Sequence, residues 1–453
     1  MFKNLYLSLG LAVLFFVGGN GFLAASEERG RETYPLALSA CYAELNKTYK
    51  EALTAAQKIG DVYLRSWELK EIAKAMARAG RFDEAIEAAE KIKEPGDYSQ
   101  ALSVISEELS RDCQKERAIK LLKQALKSAE KISSKSKKVE VLSEIASAMA
   151  SVGQKEEAGK ILEQASKLAQ EAKQEWEWQS LSFLILSNML NMGQFEKAME
   201  TAQQIKDDFA RAEALCIIAG IMAFTPQREK ALKILEQAIG TVEKASDLAY
   251  PNEYIKPQTL CSIAGSMVMM GEKERALKML EEALTLSQKI KDYSEHARIL
   301  TNIAEIYSNA GEKEKAFNLL SKAIESAEKI VIEPSMEYFI EEATNAAGKC
   351  GIKIKISTNY MRAEALSEIA KVMSEVGRKK EALSIFRRAL KYAQEIKNEL
   401  ENSHTLNQIV LNMAWAGFPK EAFDVAKKIR NPYKRLDALA TVISVMKAPS
   451  ANF

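Results

Sequence analysis

A pattern of leucine, glycine and alanine returns along this chain and leaves little choice of architecture. Leu69-Lys-Glu-Ile-Ala-Lys-Ala-Met-Ala-Arg-Ala-Gly80 recurs as Leu142-Ser-Glu-Ile-Ala-Ser-Ala-Met-Ala-Ser-Val-Gly153 and as Leu366-Ser-Glu-Ile-Ala-Lys-Val-Met-Ser-Glu-Val-Gly377. The same frame holds at Leu260–Gly271, Leu300–Gly311 and Leu406–Gly417, and an alanine follows each glycine by five residues (Ala85, Ala158, Ala382 and their equivalents). Leu69, Ile72, Ala73 and Met76 share one face of an α-helix. The glycine ends that helix in the left-handed conformation that only glycine adopts cheaply. A second stripe, Ala85, Ile86, Ala89 and Ile92, then predicts a second helix. Each unit is a helical hairpin, and its alanine lets the two helices approach closely.

Leading residues run from Leu36 to Leu439, mostly 33 or 40 residues apart. The two lengths differ by about two helical turns, so the longer units are expected to extend their helices without changing register. Proline placement agrees with the frame. Pro95, Pro251, Pro257 and Pro432 are expected in linkers, Pro226 at a glycine position, Pro419 at the start of a second helix, and Pro35 and Pro334 at helix starts. One spacing of 66 residues, from Leu300 to Leu366, holds a degenerate unit. There Ser335–Ala347 is expected to be helical, while Ile352-Lys-Ile-Lys-Ile356 alternates as an extended segment. That segment is either a strand for a partner or a linker along the array. The last helix, Asp437–Lys447, is expected to cap the array.

These hairpins resemble tetratricopeptide repeats, with large residues at Leu69, Ile72 and Met76, small Ala73, then Gly80 and Ala85. The resemblance covers roughly residues 34–447, in two blocks (34–330 and 361–447) around the insert at 331–360. It implies an all-α fold, an α-solenoid of about ten hairpins wound as a right-handed superhelix. Tryptophan is absent from the family's first position, methionine mostly replaces its tyrosine, and many units run to 40 residues. The resemblance further implies that the first helix of each hairpin lines a concave groove where a protein or peptide binds. The family's carboxylate clamp needs asparagine where Val104 stands, so that clamp is not carried over.

Residues 1–26 read as an export signal: Lys3 precedes the uncharged run Leu5–Val17, and Ala24-Ala25-Ser26 offers a cleavage site. The alternative is an uncleaved anchor, the one case in which a membrane is involved. An exported protein, periplasmic or secreted, is expected, with a bacterial envelope preferred. Five cysteines without a C-x-x-C spacing give no disulfide framework. Cys216 and Cys261 hold equivalent places in neighbouring hairpins, too far apart to bridge, and are expected to be free thiols.

With 64 basic and 62 acidic side chains, the chain lacks the basic excess of a nucleic-acid binder. Two histidines, His296 and His404, leave little for metal sites or proton relays, and no nucleotide, hydrolase or zinc motif occurs. The expectation is a non-catalytic scaffold without cofactor or metal. The alternative is a component of an envelope enzyme or assembly complex with a site in the 331–360 insert, where Glu341, Lys349 and Cys350 supply the chemistry. The groove positions of the middle hairpins are apolar: Phe183 and Leu190, then Cys216 and Phe224, then Cys261, Val268 and Met269. As function, this stretch accepts a partner's segment. As packing, its small residues let a tightly curved array close on itself and bury the stretch.

Overall fold

A computed structural model describes residues 35–171, 175–245, 253–331, 339–341 and 353–447. The leader at 1–26, Pro251, Pro334, Lys349 and Cys350 lie outside them. The described chain is an all-α solenoid. It opens with α1 (Pro35–Gln57), followed by the hairpins α2 (Val62–Arg78) with α3 (Phe82–Ala89), and α4 (Pro95–Arg111) with α5 (Lys115–Ala129). Next come α6 (Lys135–Ser151) with α7 (Lys155–Ala169), α8 (Glu175–Asn191) with α9 (Phe195–Gln203), and α10 (Asp208–Met222) with α11 (Arg228–Lys244). Two more hairpins precede the insert, α12 (Ile255–Met269) with α13 (Lys273–Ser287), and α14 (Tyr293–Asn309) with α15 (Lys313–Lys329). After it stand α16 (Thr358–Glu375) with α17 (Lys379–Gln394), α18 (Glu399–Trp415) with α19 (Pro419–Ala426), and finally α20 (Pro432–Lys447).

Local chemistry sets both ends of the first helices. Asp61, Ser134, Asp207, Ser357 and Asn398 each accept a backbone N–H three residues on, satisfying a donor that the first helical turn leaves open. At the other end the Arg81 N–H donates to the Met76 carbonyl (2.8 Å) and the Gly80 N–H to that of Ala77 (2.9 Å), with Gly80 at φ 77°. Seven hairpins turn on a glycine of positive φ. Cys113 takes the same conformation (φ 62°) in the α4–α5 hairpin, and Pro226 occupies the turn between α10 and α11. Pro95 and Pro432, expected in linkers, are instead the first residues of α4 and α20, and Pro257 lies in the first turn of α12. A first-turn residue needs no N–H, so the helix starts on the proline itself.

The even-numbered helices pack against one another in sequence, whereas among the described residues no two consecutive odd-numbered helices do so comparably. The even helices therefore lie on the inside of the curve. Ala85, Ala158, Ala276, Ala316, Ala382 and Ala422, all fully buried, form the close contact within each hairpin. The inner helices keep nearly one length, 15 to 18 residues, and the variation falls on the outer ones: 8 and 9 residues in α3, α19 and α9, against 15 to 17 in α5, α7, α11, α13, α15 and α17. The long units thus extend their outer helix alone. Inner helices must match their neighbours end to end; outer helices have no such neighbour.

The array closes. α20 packs on α18 and α19, as any inner helix would, and also on α1 and α2 from the opposite end of the chain. The Cys41 thiol lies 3.9 Å from the Met446 sulfur, and the Arg435 Nε donates to the Thr48 hydroxyl (3.1 Å) and its guanidinium pairs with Glu51. α1 therefore runs antiparallel to α20 and serves as its outer helix. The tenth hairpin is assembled from both chain ends. This corrects two expectations: Leu36 does not begin a first hairpin, and Asp437–Lys447 is not a cap. Lys47 stands where the turn glycine would be, so α1 continues straight. α20 buries Leu436 and then every residue from Ala438 to Ile443, an all-round apolar surface that demands neighbours on each side.

The insert also departs from expectation. Phe339–Glu341 is a strand (β1), not helix, and pairs antiparallel with Lys353–Lys355 (β2), placing Ile340 opposite Ile354. The alternating segment is extended, as its pattern requires, but its partner is the chain's own insert.

Candidate functional site

The apolar stretch of the middle hairpins is mostly core. Every residue of α10 from Phe209 to Met222 except Arg211 is buried, because a helix apolar on all faces finds cover on all faces. Phe183, Leu190, Cys216 and Cys261 are closed off from solvent, so they do not line an open groove. Val268 and Met269 are half-buried, and Phe224 keeps 44% of its surface exposed, next to the turn that Pro226 interrupts. Cys216 and Cys261 are free thiols. Burial pushes both up, Cys261 to about 12, so neither is a thiolate nucleophile at neutral pH.

What the inner wall offers instead is polar. Two residues before the leading position stand Gln100, Glu140, Glu213, Gln258, Arg298, Glu364, His404 and Asp437, a column legible in the sequence once the repeats are aligned. Packing inner helices side by side joins this column and its neighbours into hydrogen-bonded groups. In α2, α4 and α6 the Lys70 Nζ donates to Asp97 Oδ1 (2.7 Å) and to Gln100 Oε1 (3.4 Å). Gln100 also accepts from Lys137 Nζ (3.0 Å) and donates through Nε2 to Glu144 Oε1 (2.9 Å). Burial opposes the Lys70 charge, but the nearby Asp97 and Glu71 carboxylates outweigh it and raise its pKa. Farther round, Arg298 Nη1 and Asn302 Nδ2 both donate to Gln258 Oε1 (2.7 and 2.9 Å), linking α14 to α12.

Beside Arg298 the wall turns acidic. Burial pushes Glu213, Glu305 and Glu364 each up to about 8, against the pull of Arg298 on Glu213 and of Lys371 on Glu305. Glu364 is raised further by Glu368, and the Tyr360 hydroxyl donates to its Oε1 (3.3 Å). Glu368 keeps solvent contact yet is also raised, because protein surrounds it on a concave wall and thins its hydration. Glu107, in α4, is pushed up to about 7, again by burial first. His404 lies beside Tyr360 (ring centroids 5.9 Å apart), while His296 contacts Ser326 through Nδ1 (2.9 Å); the two histidines belong to different helices. Among the described residues no three His, Cys, Asp or Glu side chains converge as metal ligands, and none of the described helices is long and apolar enough to cross a membrane.

A closed solenoid of hairpins with a polar inner wall defines a repeat protein that presents surfaces. The family model of the tetratricopeptide repeat matches residues 257–329, the two hairpins from α12 to α15, and supports the tetratricopeptide-repeat reading of the hairpins. No curated protein sequence matches it. Among solved structures it is similar to Ton1535 from Thermococcus onnurineus NA1 (18% identity, 89% of this chain and 99% of that one, TM-score 0.28). It is also similar to BtubC (BKLC) from P. vanneervenii (16% identity, 54% and 91% covered, TM-score 0.32). A Rap protein complexed with competence and sporulation factor is a further match (12% identity, 77% and 95% covered, TM-score 0.30). Likeness at this level carries nothing about function.

Proposed function

We propose that this chain is an exported, non-catalytic scaffold that holds a segment of a partner protein against its inner wall. The observation that supports the reading is the polar column itself. Partly exposed side chains such as Lys74, Glu107, Glu144 and Asn302 stand on the inner helices, Glu144 and Asn302 fixed by hydrogen bonds to the neighbouring hairpin and Lys74 by Glu71 of its own helix. Such a wall is preorganised, so little side-chain entropy is lost when a partner docks. Phe224, Val268 and Met269 supply apolar contact at its middle, while the buried members of that stretch act through packing. The near-neutral charge favours protein over nucleic acid as the partner. The leader at 1–26 sends the chain to a periplasm or exterior, and a membrane is involved only if the leader stays attached.

The test is photo-crosslinking in the native host, with the crosslinker placed at Lys74 on the inner wall or at Lys160 on the outer surface. A defined partner captured from Lys74 and not from Lys160 is expected. Capture from both positions alike, or turnover of a substrate by the purified chain, would overturn the reading.

A further inference from the structure

We infer a second binding site on the outside of the ring, a notch that takes a peptide segment carrying one large apolar side chain among acidic residues. Its origin is the mismatch in outer-helix length. α17 has 16 residues and the next outer helix, α19, has 8. The last turns of α17 therefore extend about 12 Å beyond their neighbour. A cavity of about 270 Å³ fills the gap, bounded by α17, the start of α18 and the chain leaving α19.

Its floor and its mouth differ in chemistry. Ile396, Leu406 and Val425 are buried and Leu390 is half-buried, giving an apolar floor. Lys397, Lys428 and Arg430 stand exposed around it. None of the three side chains makes a hydrogen bond, ion pair or ring contact among the described residues. Elsewhere on this surface basic side chains do find carboxylates, as in Lys427 with Asp424 and Arg388 with Glu328. Glu399 is the one carboxylate on the lining, so the mouth carries a net excess of two positive charges.

The volume decides the size of the ligand. Pockets for cofactors and drug-sized molecules take roughly 300–1,000 Å³, so this one suits a single large side chain. Three unpaired cations around an apolar slot are complementary to carboxylates placed on either side of that side chain. The site shares no residue with the inner wall and goes beyond the scaffold reading, which stands or falls separately.

A fluorescein-labelled pentapeptide, leucine flanked by two glutamates on each side, tests this by anisotropy against the full chain. Saturable binding in the micromolar to low millimolar range is expected, weakened by added salt. The double variant Lys428→Glu, Arg430→Glu, whose sites are exposed and unpaired, should bind about tenfold more weakly with an unchanged circular dichroism spectrum. Replacing the peptide's leucine by glycine should weaken binding similarly. The site is refuted if the peptide does not bind, if the folded double variant binds as well as the parent, or if the glycine or an all-lysine peptide binds equally.

Discussion

The Arg78 guanidinium donates to the Asp437 carboxylate across 2.5 Å, joining two residues 359 positions apart in the chain. The pair sits on α2 and α20, the first complete inner helix and the last, and marks the seam at which the ring closes. Asp437 also accepts from Asn407 Nδ2 (3.0 Å), so the seam continues the hydrogen bonding that links the other inner helices. Both partners are partly exposed, 34% and 24%, so the pair itself contributes only about 0.5–1 kcal/mol. The apolar contact between α1 and α20 carries more.

Closure by the chain ends makes the ends interdependent. Leu439→Asp places a charge where the side chain is fully buried and should cost about 3 kcal/mol or more. Hydrogen exchange should then speed up in α1 and α2 as well as in α18 and α19. Unchanged protection of residues 35–78 would show that the ring does not depend on its seam.

Within the ring each hairpin touches mainly its neighbours, so damage far from the seam should stay local. Ala158, near the start of α7, is fully buried, and Ala158→Leu should cost about 1–3 kcal/mol through overpacking. Faster exchange is expected in α6 to α9 while α14 to α17 keep their protection. Uniform loss across all hairpins would contradict this.

Cys113 holds a left-handed backbone with φ 62° at the place where seven other hairpins use glycine. A side chain there costs roughly 1–2 kcal/mol, part of which glycine returns through its greater unfolded-state entropy. Cys113→Gly should raise stability by about 0.5–1 kcal/mol, read as a higher melting temperature. A lower one would mean that the exposed Cys113 side chain makes a contact worth more than the strain.

Glu213 binds its proton more tightly folded than unfolded, with its pKa moved from 4.5 to about 8. Such a carboxyl stabilises the fold while protonated, and the contribution shrinks as pH rises from about 4.5 through 8. Glu305 and Glu364 act in the same direction. Glu213→Gln should therefore leave stability near pH 5 little changed and raise it at pH 9 by an amount on the order of 2 kcal/mol. Parallel thermal-unfolding profiles for parent and variant across this range would disprove the assignment.

Cleavage of the leader should leave a mature chain beginning near Glu27. N-terminal sequencing of protein from the exported fraction is the measurement. An intact Met1 in a membrane fraction would replace the cleaved leader by an anchor.

The hairpins, their turns and their buried alanines follow from local sequence. Leu69, Gly80 and Ala85 act within one unit, where periodicity of apolar residues and a single left-handed glycine suffice to specify the structure. The polar column from Gln100 to Asp437 was equally readable, being one register position repeated. Four things were not. Whether Cys216 and Cys261 face a groove or a core depends on what lies across the inner wall, and tertiary packing covers them. That Lys70 meets Asp97, or that Glu364 lies near Glu368 and Tyr360 with a raised pKa, depends on how neighbouring helices are offset and hydrated. The cavity between α17 and α19 exists only where a long outer helix meets a short one. The ring itself is the largest such decision: the all-round apolar surface of α20 demands neighbours and Lys47 leaves α1 unbroken, but nothing local says that these two helices pair with each other. Small rotations between successive hairpins accumulate over the whole array, and only their sum brings Arg78 to Asp437.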